Sequence, residues 1–272
     1  MKRILQILAF MPLMFLLNSC EGTEQTQDPT PDPNPGTDPG KQELPAPPAE
    51  EKSSNIFVVD MFSTLEDEGE FFDKRDVASV AQHISAQSGK KPLIYMFDRA
   101  DFTVGVSHPF NKLSYTAKIY QLFAQHEPTS ETVTKGTAMA TLYPINVYDG
   151  IAQNGAYMSG MTISAPLTTA TKVCFYTARI SSMEQIQEIF KARSQQLQGD
   201  SVIISLVDNS IKSDVVQYVE QTMSLRAATF GSEDTKLDVL VIVPAAYVCR
   251  SIESGQTINL PYYRVSIEKW LW

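Results

Sequence analysis

The sequence predicts a layered α/β domain with mixed sheets. Three observations predict it. Short apolar runs that read as buried strands alternate with segments of helical periodicity. Between some of those helices two strand-like runs follow one another directly, so the sheets cannot be purely parallel. The stretch from 55 to 272, 218 residues with no second linker, is long enough for one large core.

The elements follow in order. "NIFVVDMF" reads as a short buried strand. "DKRDVASVAQHISAQSG" reads as a helix: Asp73 is placed to cap it, Val77, Val80, Ala81 and Ile84 share one face, and Gly89 ends it. "KPLIYMFD" is a second buried strand ending at Asp98. "KLSYTAKIYQLFAQHE" spaces Leu113, Ile119, Tyr120 and Phe123 as a helix would. "TAMATLYPINVY" and "GMTISAPL" read as neighbouring strands, and "TKVCFYTARI" as another buried one. "SSMEQIQEIFKARSQQLQG" is the clearest helix, with Ser181 and Glu184 spaced as a capping box and Ile186, Ile189 and Phe190 on its inner face. "SVIISLVDNS" is a buried strand that surfaces at Asp208 and Asn209. "SDVVQYVEQTM" is a helix with Ser213 as its cap, and "LDVLVIVPAAYVC" and "LPYYRVSIEKW" close the chain as strands. No internal repeat of fixed period is visible.

The N-terminal stretch differs in kind from the rest of the chain. "MKRILQILAFMPLMFLLNSC" has a charged start, an apolar run over residues 4–17 and small residues before Cys20. The run is shorter than the ~20 residues that cross a bilayer, and its flanks suit an export signal over residues 1–19. "LLNSC" resembles the lipobox of bacterial lipoproteins, which implies lipidation of Cys20 and a membrane anchor. Residues 21–51 hold eight of the sixteen prolines and almost no large apolar side chain. Such a segment buries too little surface to offset the entropy of ordering, so residues 20–54 are expected to be an extended tether. The acids after Cys20, "CEGTEQTQD", resemble the surface-export signal of Bacteroidetes lipoproteins, implying an outer-membrane, surface-exposed location.

Charge narrows the partner classes. Residues 55–272 carry a net charge of −5 and no basic run. Counterion release from nucleic acid requires a positive face, so a nucleic-acid partner is disfavoured. Cys174 and Cys249 lie in apolar, β-branched surroundings and read either as core thiols or, in an exported chain, as a disulfide pair. His83, His108 and His126 give no metal-ligand spacing with them. Tyr143, Tyr148, Tyr157, Phe175 and Tyr176 read as core residues at strand spacing or as the lining of a cleft. Trp270 and Trp272 read as a docked chain end or a contact surface.

The order of landmarks resembles the endonuclease/exonuclease/phosphatase superfamily. "TLYPINVY" resembles its middle strand. "KVCFYTARIS", a helix, then "SVIISLVDNS" resembles its passage to a metal-binding Asp and Asn. "TKLDVLVIVPAAYV" resembles its late strand, with Asp238 at the position of the family's Asp, and "INLPYYRVSI" resembles its closing segment. The resemblance implies a four-layer sandwich of two mixed β-sheets flanked by helices, with its chemistry on loops at one edge. It also implies a divalent cation such as Mg²⁺ and a histidine that handles protons.

The catalytic letters depart from the pattern. Ala178 in "YTAR" stands where the first His would be, and Asn259 in "TINLP" where the closing His would be, with Ile258 at its Asp neighbour. Asp208 and Asn209 match the family's Asp and Asn only with a shift of one residue. Asp60, Asp98 and Asp208 remain as a vestigial cation site, or as the strand-end and turn residues that Asp commonly provides. A binding module for a protein, glycan or small-molecule ligand, with no catalytic residue and no cofactor, is therefore the leading expectation. A Mg²⁺-dependent phosphodiesterase or phosphatase with a diverged site and an accessory subunit of an uptake or adhesion assembly are the alternatives.

Overall fold

The computed structural model describes residues 56–63, 65, 74–87, 92, 94–103, 112–113, 120–128, 133–153, 156–164, 172–197 and 199–270. The export signal, Cys20, the tether, Asp73, Gly89, His108 and Trp272 lie outside the described residues. Among the described residues the strands are β1 (Ile56–Phe62), β2 (Ile94–Thr103), β3 (Tyr120–Pro128), β4 (Val133–Thr141), β5 (Ile145–Gln153) and β6 (Ala156–Ser164). They continue with β7 (Lys172–Ile180), β8 (Ser201–Asp208), β9 (Arg226–Phe230), β10 (Leu237–Val243), β11 (Tyr247–Gln256) and β12 (Pro261–Lys269). The helices are α1 (Lys74–Ala86), α2 (Met183–Leu197) and α3 (Lys212–Gln217), the last running into a π-turn at Tyr218–Thr222.

Two six-stranded mixed sheets result, ordered β11-β12-β1-β2-β4-β3 and β5-β6-β7-β8-β10-β9. The spatial arrangement of strands is the same in both, although the outer pair comes late in the chain in the first sheet and early in the second. Each has an outer antiparallel pair, a parallel pair joined by a helix (β1-α1-β2 and β7-α2-β8), and a final antiparallel pair whose later strand lies inside.

Period-two alternation assigns each strand face to a layer. Phe57, Val59 and Met61 of β1, Val202, Ile204 and Leu206 of β8, and Val239 and Val241 of β10 meet in one core between the sheets. The opposite faces are covered by helices. Val77, Val80 and Ile84 of α1 pack on Phe62, Tyr95 and Phe97. Ile186, Ile189 and Phe190 of α2 pack on Tyr176, Ile203 and Leu240. With every residue of β10 buried and each Val, Leu or Ile contributing about 1.5–3 kcal/mol, both faces of that strand are stabilised by apolar contact. The result is the expected four-layer α/β sandwich.

Five local readings are corrected. Residues 120–128 form β3, not a helix, because β4 offers a full row of backbone partners and that pairing outweighs weak helical spacing. "TAMATLYPINVY" is broken at Leu142–Pro144 and "LDVLVIVPAAYVC" at Pro244–Ala246, and in each case the two halves join different sheets. The cap of α2 is Ser182, whose Oγ accepts the Gln185 N–H at 3.4 Å while Gln185 Oε1 accepts the Ser181 N–H at 2.7 Å, one residue later than the expected box. Ser213 lies inside α3, where Ile211 is the cap residue and supplies no side-chain bond. β9 has no counterpart in the sequence reading.

Cys174 and Cys249 are free, half-buried thiols on different faces, Cys174 packed with the α2 layer and Cys249 with the inter-sheet core. Of the aromatic set, Tyr143, Phe175 and Tyr176 are buried while Tyr148 is exposed; the side chain of Tyr157 lies outside the described residues. Trp270 packs under the Arg226 guanidinium at 4.9 Å.

Candidate functional site

The rim to which the sequence resemblance points is built where four strand ends meet. The Ser63 N–H donates to the Pro261 carbonyl at 3.3 Å, which ties the end of β1 to the start of β12. The Leu237 N–H donates to the Leu65 carbonyl at 3.3 Å, which ties the first sheet to the second. Leu65 has φ 56°, a left-handed conformation unusual for a branched side chain. Across the rim β8 and β10 run antiparallel, with Asp208 opposite Leu237 and Asp238 opposite Val207.

Asp208, Asn209 and Asp238 therefore share one edge. Asp238 is 1% exposed. Its Oδ2 accepts Lys212 Nζ at 2.6 Å and its Oδ1 accepts the Thr235 hydroxyl at 3.2 Å. A Cβ on Gly231 would lie 2.0 Å from Asp238 Oδ1, so glycine is required for the carboxylate to sit there. Asn209 donates its side-chain amide to the Ser232 and Thr235 carbonyls at 3.2 and 3.1 Å, clamping the loop between β9 and β10 onto the end of β8. Asp208 Oδ1 accepts the Ser210 hydroxyl at 2.6 Å and the Ser210 N–H at 2.8 Å. Those two bonds, with Arg179 and Lys236 nearby, hold its carboxyl below the ordinary range. This is an Asx-turn, the local arrangement that Asp favours at strand ends.

The other expected positions do not join this cluster. Ala178 is fully buried and faces the α2 layer, since Val173 and Phe175 take the inward register of β7. Asn259 sits exposed on the turn between β11 and β12, where its N–H donates to Ser79 Oγ on α1 at 3.3 Å. Asp60 does not reach the rim. The alternation that turns Val59 and Met61 inward turns Asp60 outward beneath α1, fully buried. There Arg264 donates Nε and Nη2 to it, each at 2.8 Å, and His83 Nε2 lies 2.7 Å from Oδ2. The side chain of Asp98 lies outside the described residues.

Asp60 and Asp208, the expected ligands whose side chains are described, do not converge on a site for a divalent cation. Among the described residues no three His, Cys, Asp or Glu side chains are grouped to hold one, and Asp60 and Asp208 have separate partners. Sequence reasoning missed Lys212, which neutralises Asp238, and Thr235, which donates a hydrogen bond to it. It also missed the buried hydroxyls of Thr137, Ser159 and Thr177 on the inward register of β4, β6 and β7. Thr137 and Ser159 hydrogen-bond at 2.6 Å, whereas Thr177 Oγ1 and Tyr143 OH find no partner among the described residues. Polar residues at alternate positions of otherwise apolar strands were the available signal.

No family model matches the sequence, and no curated protein does. Solved structures do match the fold. An endonuclease/exonuclease/phosphatase family protein from Leptotrichia buccalis superposes with a TM-score of 0.55 at 10% identity, covering 79% of this chain and 100% of the other. ANGEL2, described as a 2',3'-cyclic phosphatase in complex with adenosine-2',3'-vanadate, superposes with a TM-score of 0.52 at 7% identity, covering 78% and 96%. Twelve strands in two facing mixed sheets, with helices outside both, give this domain the fold of the endonuclease/exonuclease/phosphatase family.

Proposed function

We propose that the chain is an exported lipoprotein, anchored through Cys20 and extended from the outer membrane by its Pro- and Asp-rich tether, whose globular domain binds a partner and does not hydrolyse phosphoesters. The observation that carries the reading is the buried Asp238–Lys212 pair. Phosphoester hydrolysis at this rim needs carboxylates open to a cation and a base open to water. Asp238 already has a cation from its own chain, Asp208 is folded into its own turn, and Ala178 and Asn259 accept no proton.

The test is hydrolysis of bis-p-nitrophenyl phosphate by the full chain with Mg²⁺ or Mn²⁺. The expected result is no turnover above buffer. Turnover that disappears in Asp208→Ala overturns the binding reading. For the anchor, the Cys20→Ser chain is expected to leave the membrane fraction and to lose palmitate labelling; retention of both would remove lipidation from the proposal.

A diverged phosphodiesterase or phosphatase is the second reading. It is supported by the convergence of Asp208, Asn209 and Asp238 on one edge and by the activity in ANGEL2's description. A rise in melting temperature with Mg²⁺ would favour it, since a ligand bound to the native state stabilises by mass action.

A further inference from the structure

A cavity of about 580 Å³ opens on the helix-covered face of the second sheet, beside Cys174 and Ser201, at the opposite ends of β7 and β8 from Asp208. Four large hydrophobic side chains are exposed among the described residues, Ile56, Val147, Tyr148 and Ile258. Two of them, Val147 and Tyr148, each 55% exposed, line this one cavity from the edge strand β5.

The base of the cavity is held rigidly. Asp149 Oδ2 accepts Arg193 Nε at 2.7 Å and the Tyr176 hydroxyl at 2.8 Å, while Oδ1 accepts Arg193 Nη2 at 2.6 Å and the Gly150 N–H at 2.8 Å. These bonds fill the acceptor capacity of a carboxylate, so Asp149 anchors the site and does not face a ligand. Gly160 makes room for the arrangement, because a Cβ there would lie 2.4 Å from the Tyr176 ring. The regular helical backbone of α2 is interrupted at Arg193 (φ −135°, ψ 23°), the residue whose guanidinium reaches β5.

The groups left over line the cavity. Arg193 uses Nε, one Nη1 donor and both Nη2 donors within the protein, leaving the second Nη1 donor. Asp200 Oδ1 accepts the Tyr247 hydroxyl at 3.0 Å and Lys269 Nζ at 2.8 Å, leaving Oδ2 open. Gln195 is exposed. The charges cancel internally, Asp149 against Arg193 and Asp200 against Lys269, so an ionic ligand meets no uncompensated countercharge. A ligand matched to this lining is uncharged, has several hydroxyls to donate and accept, and carries an apolar face for an exposed ring. Pockets of this size commonly combine an apolar wall with a few convergent polar groups.

We propose that this cavity binds a neutral saccharide, with the C–H face of a pyranose on Tyr148 and its hydroxyls on Asp200, Gln195 and Arg193. The proposal deepens the binding reading and rests on it, but it uses a different surface from the rim.

The experiment is saturation-transfer NMR on the full chain with the methyl glycosides of glucose, galactose, mannose and N-acetylglucosamine, alone and as their β-linked disaccharides. Glucuronate, glucosamine and inorganic phosphate serve as charged probes. Peptide-resolved alkylation of Cys174 by iodoacetamide gives a second readout. The expected result is that at least one neutral probe binds and slows alkylation of Cys174 but not of Cys249. Tyr148→Ala and Asp200→Ala are each expected to weaken that binding at least about tenfold, as loss of a central contact does, and Tyr148→Ala to do so with unchanged melting temperature. Tyr148→Phe retains it, and so does Lys191→Ala on the exposed side of α2. Absence of binding by every neutral probe overturns the proposal, as does binding indifferent to both alanine variants or tighter binding of a charged probe. Phosphoester turnover at the rim would overturn the reading of the rim and leave this measurement intact.

Discussion

Lys212 Nζ donates to Asp238 Oδ2 at 2.6 Å, joining the first turn of α3 to a strand whose every side chain is buried. Removing the lysine leaves a charge in an apolar layer. Breaking such a pair costs about 3–5 kcal/mol when it is fully buried, and the partial exposure of Lys212 reduces this to about 2–3 kcal/mol. Lys212→Met is expected to show that loss in urea denaturation. Lys212→Met with Asp238→Asn is expected to recover most of it, because the second change removes the orphaned charge.

Asp60 has the larger stake in stability. It is fully buried, and the Arg264 fork and His83 Nε2 hold it under α1, where the Tyr262 ring lies 4.4 Å from the His83 ring. Asp60→Ala strands the Arg264 guanidinium and is expected to cost about 3–5 kcal/mol by chemical denaturation. Arg264→Lys keeps the charge but loses the two-pronged geometry, and a smaller loss of about 1–2 kcal/mol is expected. No loss in Arg264→Lys would mean that charge alone matters at this position.

Acid sensitivity follows from Asp149. Burial pushes its carboxyl up, but Arg193, Tyr176 and the Gly150 N–H together bring it below its ordinary 3.8. A carboxyl lowered by folding stabilises the native state above its unfolded value, and that contribution is lost as pH falls through the lower folded value. In Arg193→Met the burial effect remains and the main opposing charge is gone. The variant is therefore expected to unfold at a higher pH than the parent when acid titration is followed by circular dichroism. Coincident acid midpoints would contradict this assignment.

Cys174 and Cys249 are expected to remain unbridged thiols in the folded domain. They pack into different layers, and burial pushes the Cys249 thiol up to about 11. At pH 8 almost none of it is thiolate, so alkylation of folded Cys249 is expected to be slow and to accelerate on unfolding. Non-reducing peptide maps should contain no Cys174–Cys249 bridge.

The strands that bury both faces were the most legible part of the sequence. β8 and β10 are mostly apolar, broken only by Ser201, Ser205, Asp208 and Asp238, and a sheet between two packed layers accommodates such runs. The edges were harder to read. β3 and β9 each pair along one side only, so less burial is written into their composition, and β3 imitates helical spacing. The breaks at Pro144 and Pro244 were hidden because the apolar run continues through them while the chain changes sheet. At the rim, Asp208, Asn209 and Asp238 were found from their order along the chain. Their partners were not, since Lys212 lies 26 residues from Asp238 and a lysine near a helix start has no local signature. The Asp149–Arg193 anchor, 44 residues apart, was hidden for the same reason. Asp60 was misplaced because the choice between the two faces of β1 depends on which layer claims Val59 and Met61, and both layers are apolar.

All seven residues of β1 pair with β12, and 204 residues separate Asp60 from the arginine that neutralises it. A chain that emerges N-terminus first therefore presents its opening strand long before that strand's neighbour exists. The first sheet cannot close until almost the whole polypeptide is released, and such distant pairing makes closure slow compared with the local βαβ units. Until then Asp60 stays hydrated and β1 stays open at one side. Late closure makes the pairing of the nine residues of β12 the step that commits the domain to its final shape.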